Sequence, residues 1–262
     1  MNKKGIKLQV ILDLYNQGMS AVQIGEQVNC SHSNVTRRLK KAGIEFKRDY
    51  SKGRYRRTGR YHVNENFFED INNEEKAYFL GLMYSDGSVS NHGFYIKMKD
   101  EDVIQKFKTA LNAEQPIHRI YWGGNDAYIM QIYSKKLTQD LIKWGCYINK
   151  TKTIRFPSIA SSLQRHFIRG FFDGDGCLQL QDKIYHCRFD LTSASKMFLE
   201  DVRPIITSIA KTNGGLNKER KYDVWHLSYS GYQVQQILDW LYKDTNLYLK
   251  RKYFKYQLLS SR

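Results

Sequence analysis

Two kinds of hydrophobic pattern alternate along residues 67–262, and their order occurs twice. Apolar residues recur every three to four positions where a helix is predicted, and every second position where a strand is predicted. The predicted helices cover residues 74–86, 101–112, 135–144, 162–174, 196–211 and 231–243. The predicted strands cover residues 93–99, 117–122, 127–133, 177–181, 185–192, 215–220 and 224–229. We therefore predict two copies of an αββαββα unit, at residues 67–157 and 158–262.

The alternation within the strands also predicts how the sheets are covered. In the strand at 93–99, Phe94 and Ile96 alternate with Tyr95 and Lys97. Antiparallel sheets with this alternation have one face against helices and one face open. The predicted fold class is therefore α+β, and the open sheet faces carry polar, aromatic and basic side chains that can contact a ligand.

Residues 1–46 form a separate predicted unit of three short helices. Ser31 can cap the third helix, whose inward residues would be Val35 and Leu39. Two short helices, a tight turn and a third helix with a polar, basic outer face resemble a helix-turn-helix. A generic three-helix bundle is the alternative. If the unit is a helix-turn-helix, its third helix contacts DNA through His32, Ser33, Asn34, Arg37 and Arg38.

Residues 47–66 are predicted to link this unit to the first copy. Seven of the 16 residues from 47 to 62 are Lys or Arg, one is acidic, and no apolar period is present. The segment is either a flexible tether or an extended arm that lies along phosphates. The arm would bind DNA through Arg54, Arg56, Arg57 and Arg60.

The charge of the whole chain indicates a polyanionic partner. The formal net charge is +16 at pH 7, and the basic residues are spread among 19 tyrosines, which favours nucleic acid. An anionic membrane surface is the alternative, and it would require one concentrated basic amphipathic helix. The chain has no run of roughly 18 apolar residues, so we predict no membrane span.

The cysteines and the N-terminus bear on the compartment. The four cysteines have no C-x-x-C spacing, which argues against a zinc site and against a disulfide framework; they are Cys30, Cys146, Cys177 and Cys187. The N-terminus leads into an amphipathic stretch rather than an apolar signal core. We expect reduced thiols and an intracellular, cytoplasmic protein, with an organelle or a phage-infected host as alternatives.

Each copy opens with a helix that ends in a similar nonamer. Residues 79–87 read FLGLMYSDG and residues 168–176 read IRGFFDGDG. Each nonamer leads into predicted strands. The pair resembles the motifs of LAGLIDADG homing endonucleases in their single-chain, two-motif form, and the resemblance covers residues 67–262. It implies two saddle-like antiparallel sheets related by pseudo-symmetry.

Small residues recur four positions apart in both nonamers, which allows two helix backbones to approach closely. These are Gly81 and Ser85 in the first and Gly170 and Gly174 in the second. We predict that the two helices pack against each other and bring Asp86 and Asp175 together. Carboxylates at helix C-termini repel the helix dipoles and each other, so a divalent cation is expected between them.

The resemblance implies roles for particular residues. Asp86 and Asp175 would bind Mg²⁺ or Mn²⁺, together with Gly87 and Gly176, and would act in metal-dependent phosphodiester hydrolysis. The first motif departs from the family at its sixth position, where Tyr84 replaces the usual Asp. The second motif keeps an Asp there, at position 173. We expect this departure to affect packing rather than metal binding.

The resemblance also implies a basic residue near each acid, after the last helix of each copy. Lys150 and Lys252 are the candidates, with Lys152 and Lys250 as alternatives. Such a lysine could polarise the attacking water or stabilise charge on the phosphorane. An ordinary phosphate-contacting lysine is the competing interpretation.

The open sheet faces are predicted to bind DNA, because a β-surface fits the major groove. In the first copy the contacts would be Tyr95, Lys97, Lys99, Arg119, Tyr121, Gln131 and Tyr133. In the second copy they would be Gln179, Gln181, His186, Arg188, Lys218, Arg220, His226 and Ser228.

These observations predict a site-specific endonuclease that makes a double-strand break in a long, asymmetric DNA target. It would act as a monomer, because one chain supplies both motifs. We also expect no small-molecule cofactor. An RNA maturase of an intron and a cleavage-inactive DNA-binding regulator are the alternatives. An intein is not expected, because 262 residues leave no room for splicing blocks beside the two copies.

Overall fold

The chain divides into two compact units, Met1–Arg56 and Arg57–Arg262, which are described separately. The computed structural model describes residues 8–17, 19, 21–44, 61–122 and 124–261. No helix within these residues has the length and apolar character that crossing a bilayer requires. The four arginines predicted to bind DNA from the linker lie outside the described residues: Arg54, Arg56, Arg57 and Arg60.

The N-terminal unit contains three helices. They are α1 (Leu8–Asn16), α2 (Ala21–Gln27) and α3 (His32–Lys41). Their small core consists of Ile11, Ile24, Val35 and Leu39. Ser31 caps α3, as predicted, by accepting a hydrogen bond from the Asn34 N–H. The turn between α2 and α3 needs a glycine, because a Cβ on Gly25 would lie 2.6 Å from the carbonyl oxygen of Cys30.

The first copy follows the predicted order of elements. They are α4 (Glu74–Ser85), β1 (Gly87–Ser90), β2 (Gly93–Met98), α5 (Glu101–Ala110), β3 (Ile117–Trp122), β4 (Asn125–Ile132) and α6 (Lys135–Lys143). Asn73 begins α4, where its side chain accepts a hydrogen bond from the Lys76 N–H at 2.9 Å. Glu74 and Glu75 in the first turn complement the positive end of the helix dipole.

The second copy repeats this order and adds one helix. Its elements are α7 (Ser161–Asp175), β5 (Gly176–Gln179), β6 (Arg188–Ser193), α8 (Lys196–Ala210), β7 (Gly215–Lys218), β8 (Trp225–Ser230), α9 (Tyr232–Tyr242) and α10 (Lys250–Ser260). The strand predicted from residue 185 begins only at Arg188, because Ile184–His186 forms a 3₁₀ turn. No helix was predicted for α10, since only Lys252 and Leu259 are buried along it and no apolar stripe marks it.

Both copies form a four-stranded antiparallel sheet with the same topology. The strand order is β1-β2-β4-β3 in the first sheet and β5-β6-β8-β7 in the second. The helices and both sheets of this unit share one hydrophobic core that spans the two copies. The predicted α+β fold of two αββαββα copies is therefore confirmed.

The centre of the larger unit is the contact between α4 and α7. A Cβ on Gly81 would lie 2.0 Å from the carbonyl oxygen of Phe167, and a Cβ on Gly170 would lie 2.0 Å from that of Tyr78. Each glycine therefore packs directly on the backbone of the opposite helix. The two contacts are reciprocal, because Gly81 and Gly170 occupy the same position in the two nonamers.

Candidate active site and nucleic-acid interface

The central helices end side by side, and each ends at an acid. Asp86 is the C-cap of α4, where its N–H donates to the carbonyl of Leu82, and Asp175 is the last residue of α7. A Cβ on Gly174 would lie 2.4 Å from Oδ2 of Asp86. The carboxyl group of Asp86 therefore lies against the last turn of α7, and only glycine leaves room for it.

The environment of both acids disfavours negative charge. The pKa of Asp86 is raised to about 7, first by burial of its carboxyl group and then by the charge of Asp175. The pKa of Asp175 is also raised by desolvation, although Lys150 and Lys252 oppose the shift. Asp175 keeps an exposed surface, yet protein atoms surround its carboxyl group closely enough to reduce its solvation. A nearby cation would stabilise both carboxylates.

Lys150 and Lys252, the two lysines chosen from the sequence, each reach the first strand residue of their own copy. Lys150 donates through Nζ to the carbonyl oxygen of Gly87 at 2.7 Å. Lys252 donates to the carbonyl oxygen of Gly176 at 2.6 Å. Both side chains are buried beside the acids, and each lowers the pKa of Asp86 and of Asp175 through its positive charge.

Lys252 makes more contacts than Lys150. Besides Gly176, its ammonium group donates to the carbonyl oxygen of Asp173 at 2.9 Å and to that of Phe172. Burial lowers the pKa of Lys252 to about 8. The three carbonyls belong to the end of α7, so Lys252 caps this helix with a positive charge. No local sequence pattern indicates this role, because α10, which carries the lysine, has no apolar stripe.

Lys152 and Lys250, the alternative lysines, lie at the surface. Lys152 is paired with Asp223 at 2.5 Å, and Lys250 lies 3.2 Å from Asp102. Their side chains are 67% and 72% exposed. This placement favours Lys150 and Lys252 as the lysines of the site.

The sixth position of the two nonamers differs in structure as well as in sequence. Asp173 is fully buried, and its carboxyl group accepts hydrogen bonds from the Tyr78 hydroxyl at 2.7 Å, the Leu249 N–H at 2.8 Å and the Tyr242 hydroxyl at 3.1 Å. Tyr84 instead donates to the carbonyl of Trp144. Both residues bind other parts of the fold, in line with the expected effect on packing.

The donor set fits a divalent metal ion. Among the residues that the structure describes, no three His, Cys, Asp or Glu side chains come together as a metal-binding group. The site offers the carboxylates of Asp86 and Asp175, while the carbonyls of Gly87 and Gly176 accept hydrogen bonds from lysines. Mg²⁺ binds to one or two carboxylates and completes its shell with water and phosphate oxygens. The raised pKa values of both acids are consistent with such an ion.

Strand register defines the open face of the first sheet. Tyr95 lies opposite Gln131, and Lys97 lies opposite Ile129, on the side of the strands away from the buried core. Lys99 is exposed just after β2. These polar residues occupy the predicted face.

The register places Arg119 and Tyr121 on the opposite side of the sheet from Gln131, which corrects the face predicted for them. Both remain exposed on this edge strand, Arg119 at 66% and Tyr121 at 78%. Ile117 of β3 pairs with the buried Met130, so every second residue from Ile117 shares the core side. His118, which the sequence analysis did not select, takes the open face instead. The edge strand β3 shows little alternation of apolar and polar residues, and only its pairing with β4 decides its orientation.

In the second sheet, too, strand pairing decides which of the predicted residues lie on the open face. Gln179 lies opposite Arg188 on the open face, and Ser228 follows on the neighbouring strand. Lys218 is a correction: Leu216 of β7 pairs with buried Leu227, so Lys218 shares the helix side, where its Nζ lies 6.0 Å from the Trp225 ring centroid. His226 lies opposite Thr192 on the open face. The remaining predicted contacts lie in connections outside the strands: Gln181, His186 and Arg220.

The predicted contacts of α3 lie together on the outer side of the N-terminal unit. His32, Ser33 and Arg37 are exposed, and they line a surface groove with Thr36, Lys40 and Lys41. Asn34 accepts hydrogen bonds from Arg37 at 3.3 Å and from Arg38 at 3.2 Å. The helix therefore presents a continuous polar and basic surface.

Curated relatives resemble part of the chain only. It is 28% identical over 130 residues to the DNA-directed RNA polymerase subunit Rpo1C of Methanocaldococcus jannaschii, which covers 48% of this chain and 15% of the relative. It is 32% identical over 136 residues to the probable translation initiation factor IF-2 of the same organism, covering 49% and 11%. The chain thus spans a small part of the length of these relatives.

Solved structures with a similar backbone include two kinds of protein. The meganuclease I-SmaMI bound to uncleavable DNA has a TM-score of 0.48 and 13% identity, covering 73% of this chain and 89% of that one. Full-length DUF199/WhiA from Thermatoga maritima has a TM-score of 0.49 and 14% identity, covering 76% and 64%.

The family assignment comes from the sequence of the second copy. Residues 162–238 match the family described as LAGLIDADG-like domain. This range begins within α7 and ends within α9. It therefore contains the second nonamer with Asp175 and the whole second sheet. The chain accordingly carries a LAGLIDADG-like domain.

Proposed function

We propose that this protein is a site-specific DNA endonuclease that hydrolyses phosphodiester bonds with the help of a divalent metal ion. The observation that carries the proposal is the juxtaposition of Asp86 and Asp175 at the ends of two packed helices, with Lys150 and Lys252 beside them. The two carboxylates have raised pKa values, and the chain that carries them has a net charge of +16. Both properties suit a site that receives a metal ion and a phosphate together.

Each residue of the site has a part in this proposal. Asp86 and Asp175 would hold Mg²⁺ or Mn²⁺, and the bound ion would supply Lewis-acid stabilisation of the phosphate and a lower pKa for bound water. Lys150 uses one N–H of its ammonium group on Gly87, so further N–H groups can stabilise negative charge on the phosphate. Lys252 holds the end of α7, and thereby the backbone that carries Asp175, in place.

The open sheet faces and the N-terminal unit would supply binding. A β-surface fits the major groove of DNA, where side chains such as Gln131, Arg188 and Gln179 can meet base edges. The N-terminal unit would act as a helix-turn-helix that places α3 against DNA, and the basic linker would contact phosphates. Since the two copies present different side chains, one chain would read a long, asymmetric target as a monomer.

A cleavage assay on a plasmid library tests the catalytic part of this proposal. Incubation with Mg²⁺ followed by sequencing of the cut ends should give one recurrent site. Asp86→Asn and Asp175→Asn should each lower double-strand cleavage at least about a hundredfold while binding persists, because each acid is needed for the metal. Glu200→Gln, which removes an exposed acid of α8, is the control. Cutting by both Asn variants at the wild-type rate would disprove the assignment.

The binding part is tested on the site so found. Left–left and right–right palindromes of the target should be cut less well than the natural site, and the active complex should have the mass of a monomer. Removal of residues 1–46 should shorten the footprint and weaken binding while metal-dependent cleavage survives at high protein concentration. An unchanged footprint would show that the N-terminal unit does not contact the target.

A further inference from the structure

Three side chains form a closed set of hydrogen bonds on the open face of the second sheet. Arg188 donates through Nε to Oδ1 of Asp190 at 2.8 Å and through Nη2 to Oγ of Ser228 at 2.8 Å. Ser228 donates to the same Oδ1 of Asp190 at 2.5 Å. The guanidinium group is therefore fixed by two partners on two neighbouring strands.

The exposed fractions of Arg188 and Asp190 show which of the two side chains can contact a ligand. The side chain of Asp190 is 6% exposed, whereas that of Arg188 is 46% exposed. Asp190 lies opposite Ser228 in the sheet, so the acid is covered by the two groups that donate to it. A carboxylate on a surface that meets phosphates would repel them, but beneath Arg188 it orients the guanidinium group instead.

The bonds that Arg188 makes leave a defined part of its guanidinium group available. Nε and one N–H of Nη2 are engaged, so the second N–H of Nη2 and both N–H groups of Nη1 remain. The fork at the outer end of an arginine matches the O6 and N7 acceptors of guanine in the major groove. An arginine that is already oriented loses less conformational entropy on binding than a mobile one.

We propose that Arg188 determines specificity by binding a guanine in the half of the target that the second copy contacts, and that Asp190 and Ser228 position it. This inference rests on the proposed DNA-binding function. Because Arg188 and Asp190 neutralise each other, the pair contributes base preference rather than salt-dependent affinity.

The sheet also fixes where this guanine lies. Arg188 pairs with Gln179, which is three residues along β5 from Gly176. At about 3.3 Å per residue this places Arg188 roughly 10 Å from the catalytic end of the strand. Since DNA rises about 3.4 Å per base pair, the guanine should lie roughly three base pairs from the cut.

Selection from a library of randomised DNA duplexes, in EDTA so that no strand is cut, tests this inference. The wild-type chain should enrich guanine at one position, and Arg188→Gln should lower that preference at least about fivefold at this position alone. Asp190→Asn should weaken the same preference while overall affinity is retained. Arg155→Gln is the matched control, because Arg155 also pairs with an aspartate, Asp201 at 2.6 Å, but on the helix side of the sheet.

The outcomes separate this inference from the function on which it rests. Enrichment of no sequence by the wild-type chain would overturn the proposed site-specific binding and the role of Arg188 with it. If the wild-type chain selects a site and Arg188→Gln selects it with the same base preferences, the role of Arg188 alone is overturned. The same holds if Arg188→Gln lowers affinity equally for all sequences. The same shift in Arg155→Gln would show that loss of charge, rather than a base contact, is responsible. Thermal unfolding of each variant confirms that it is folded.

Discussion

The two halves of the candidate site are alike where the helices touch and different around them. Gly81 and Gly170 pack reciprocally on the opposite backbone, and Lys150 and Lys252 bind equivalent glycine carbonyls. Close helix contact leaves no space for another side chain, so the glycines cannot differ. Direct contact between the two helices therefore keeps the two copies alike at these positions.

The sixth motif positions and the two lysines have different numbers of partners in the two copies. Asp173 accepts three hydrogen bonds, two from its own copy and one from Tyr78 of the first copy. Tyr84, at the same position of the first motif, donates one hydrogen bond within its own copy. Lys252 binds three carbonyls and Lys150 binds one. The second half of the site thus depends on its supporting contacts more than the first. Variants at the sixth motif position and at the two lysines test this difference, variants of the central glycines test the likeness, and a variant of Asp86 tests the site that the halves share.

The largest effect is expected at the sixth motif position. Asp173→Asn should lower the free energy of unfolding by about 3–5 kcal/mol, because an amide cannot accept from three buried donors at once. Tyr84→Phe removes one hydrogen bond and should lower it by about 1 kcal/mol. Urea unfolding of both variants measures the difference. Equal losses would show that the two positions support the fold to the same extent.

The two lysines should separate stability from activity. Lys252→Met leaves three carbonyls at the end of α7 without their cation and should lower the free energy of unfolding by about 2–4 kcal/mol. Lys150→Met should lower it by about 1 kcal/mol and yet abolish most cleavage. The measurements are urea unfolding and the rate of plasmid linearisation. If Lys150→Met destabilises the protein as much as Lys252→Met, the second half of the site does not depend on its lysine more than the first half does.

The central glycines should instead behave alike. Gly81→Ala and Gly170→Ala each place a methyl group onto a backbone carbonyl and should destabilise the protein by about 2–3 kcal/mol. Gly124→Ala is the control, because no atom lies within 4 Å of the added Cβ and only its φ of +80° is unfavourable. It should destabilise by about 1 kcal/mol. A large difference between Gly81 and Gly170 would contradict the reciprocal packing.

The smallest effect concerns Asp86, whose pKa is raised by burial and by the charge of Asp175. The pKa of Asp86 is about 7 in the folded chain, so ionisation as the pH rises from about 4 to 7 destabilises the metal-free fold. Asp86→Asn should therefore be more stable than the wild type at pH 8, by roughly 2 kcal/mol once partial solvation is allowed for.

Thermal unfolding in EDTA at pH 5 and pH 8 checks this sign. The advantage of Asp86→Asn should shrink at pH 5, where the wild-type carboxyl group is mostly protonated. Added Mg²⁺ should stabilise the wild type more than the variant. If Asp86→Asn differs from the wild type in stability by the same amount at pH 5 and pH 8, the pKa of Asp86 is not raised in the folded protein.

Local patterns along the chain are enough to predict the repeated αββαββα order, the cap at Ser31 and the meeting of Asp86 with Asp175. Helix and strand periods, capping residues and small residues four positions apart act over a few neighbours, so they can be read in the linear chain. Strands β2 and β6 were oriented correctly because one face of each is clearly apolar.

Tertiary contacts determine the rest. Arg119 and Lys218 lie on edge strands without clear alternation, so hydrogen bonds to β4 and β8 set the face they occupy. Lys252 reaches carbonyls that lie 76 to 80 residues earlier, through a helix with no amphipathic pattern. Pairing and burial between such distant segments depend on the packing of the whole unit, and a local sequence pattern carries no record of them.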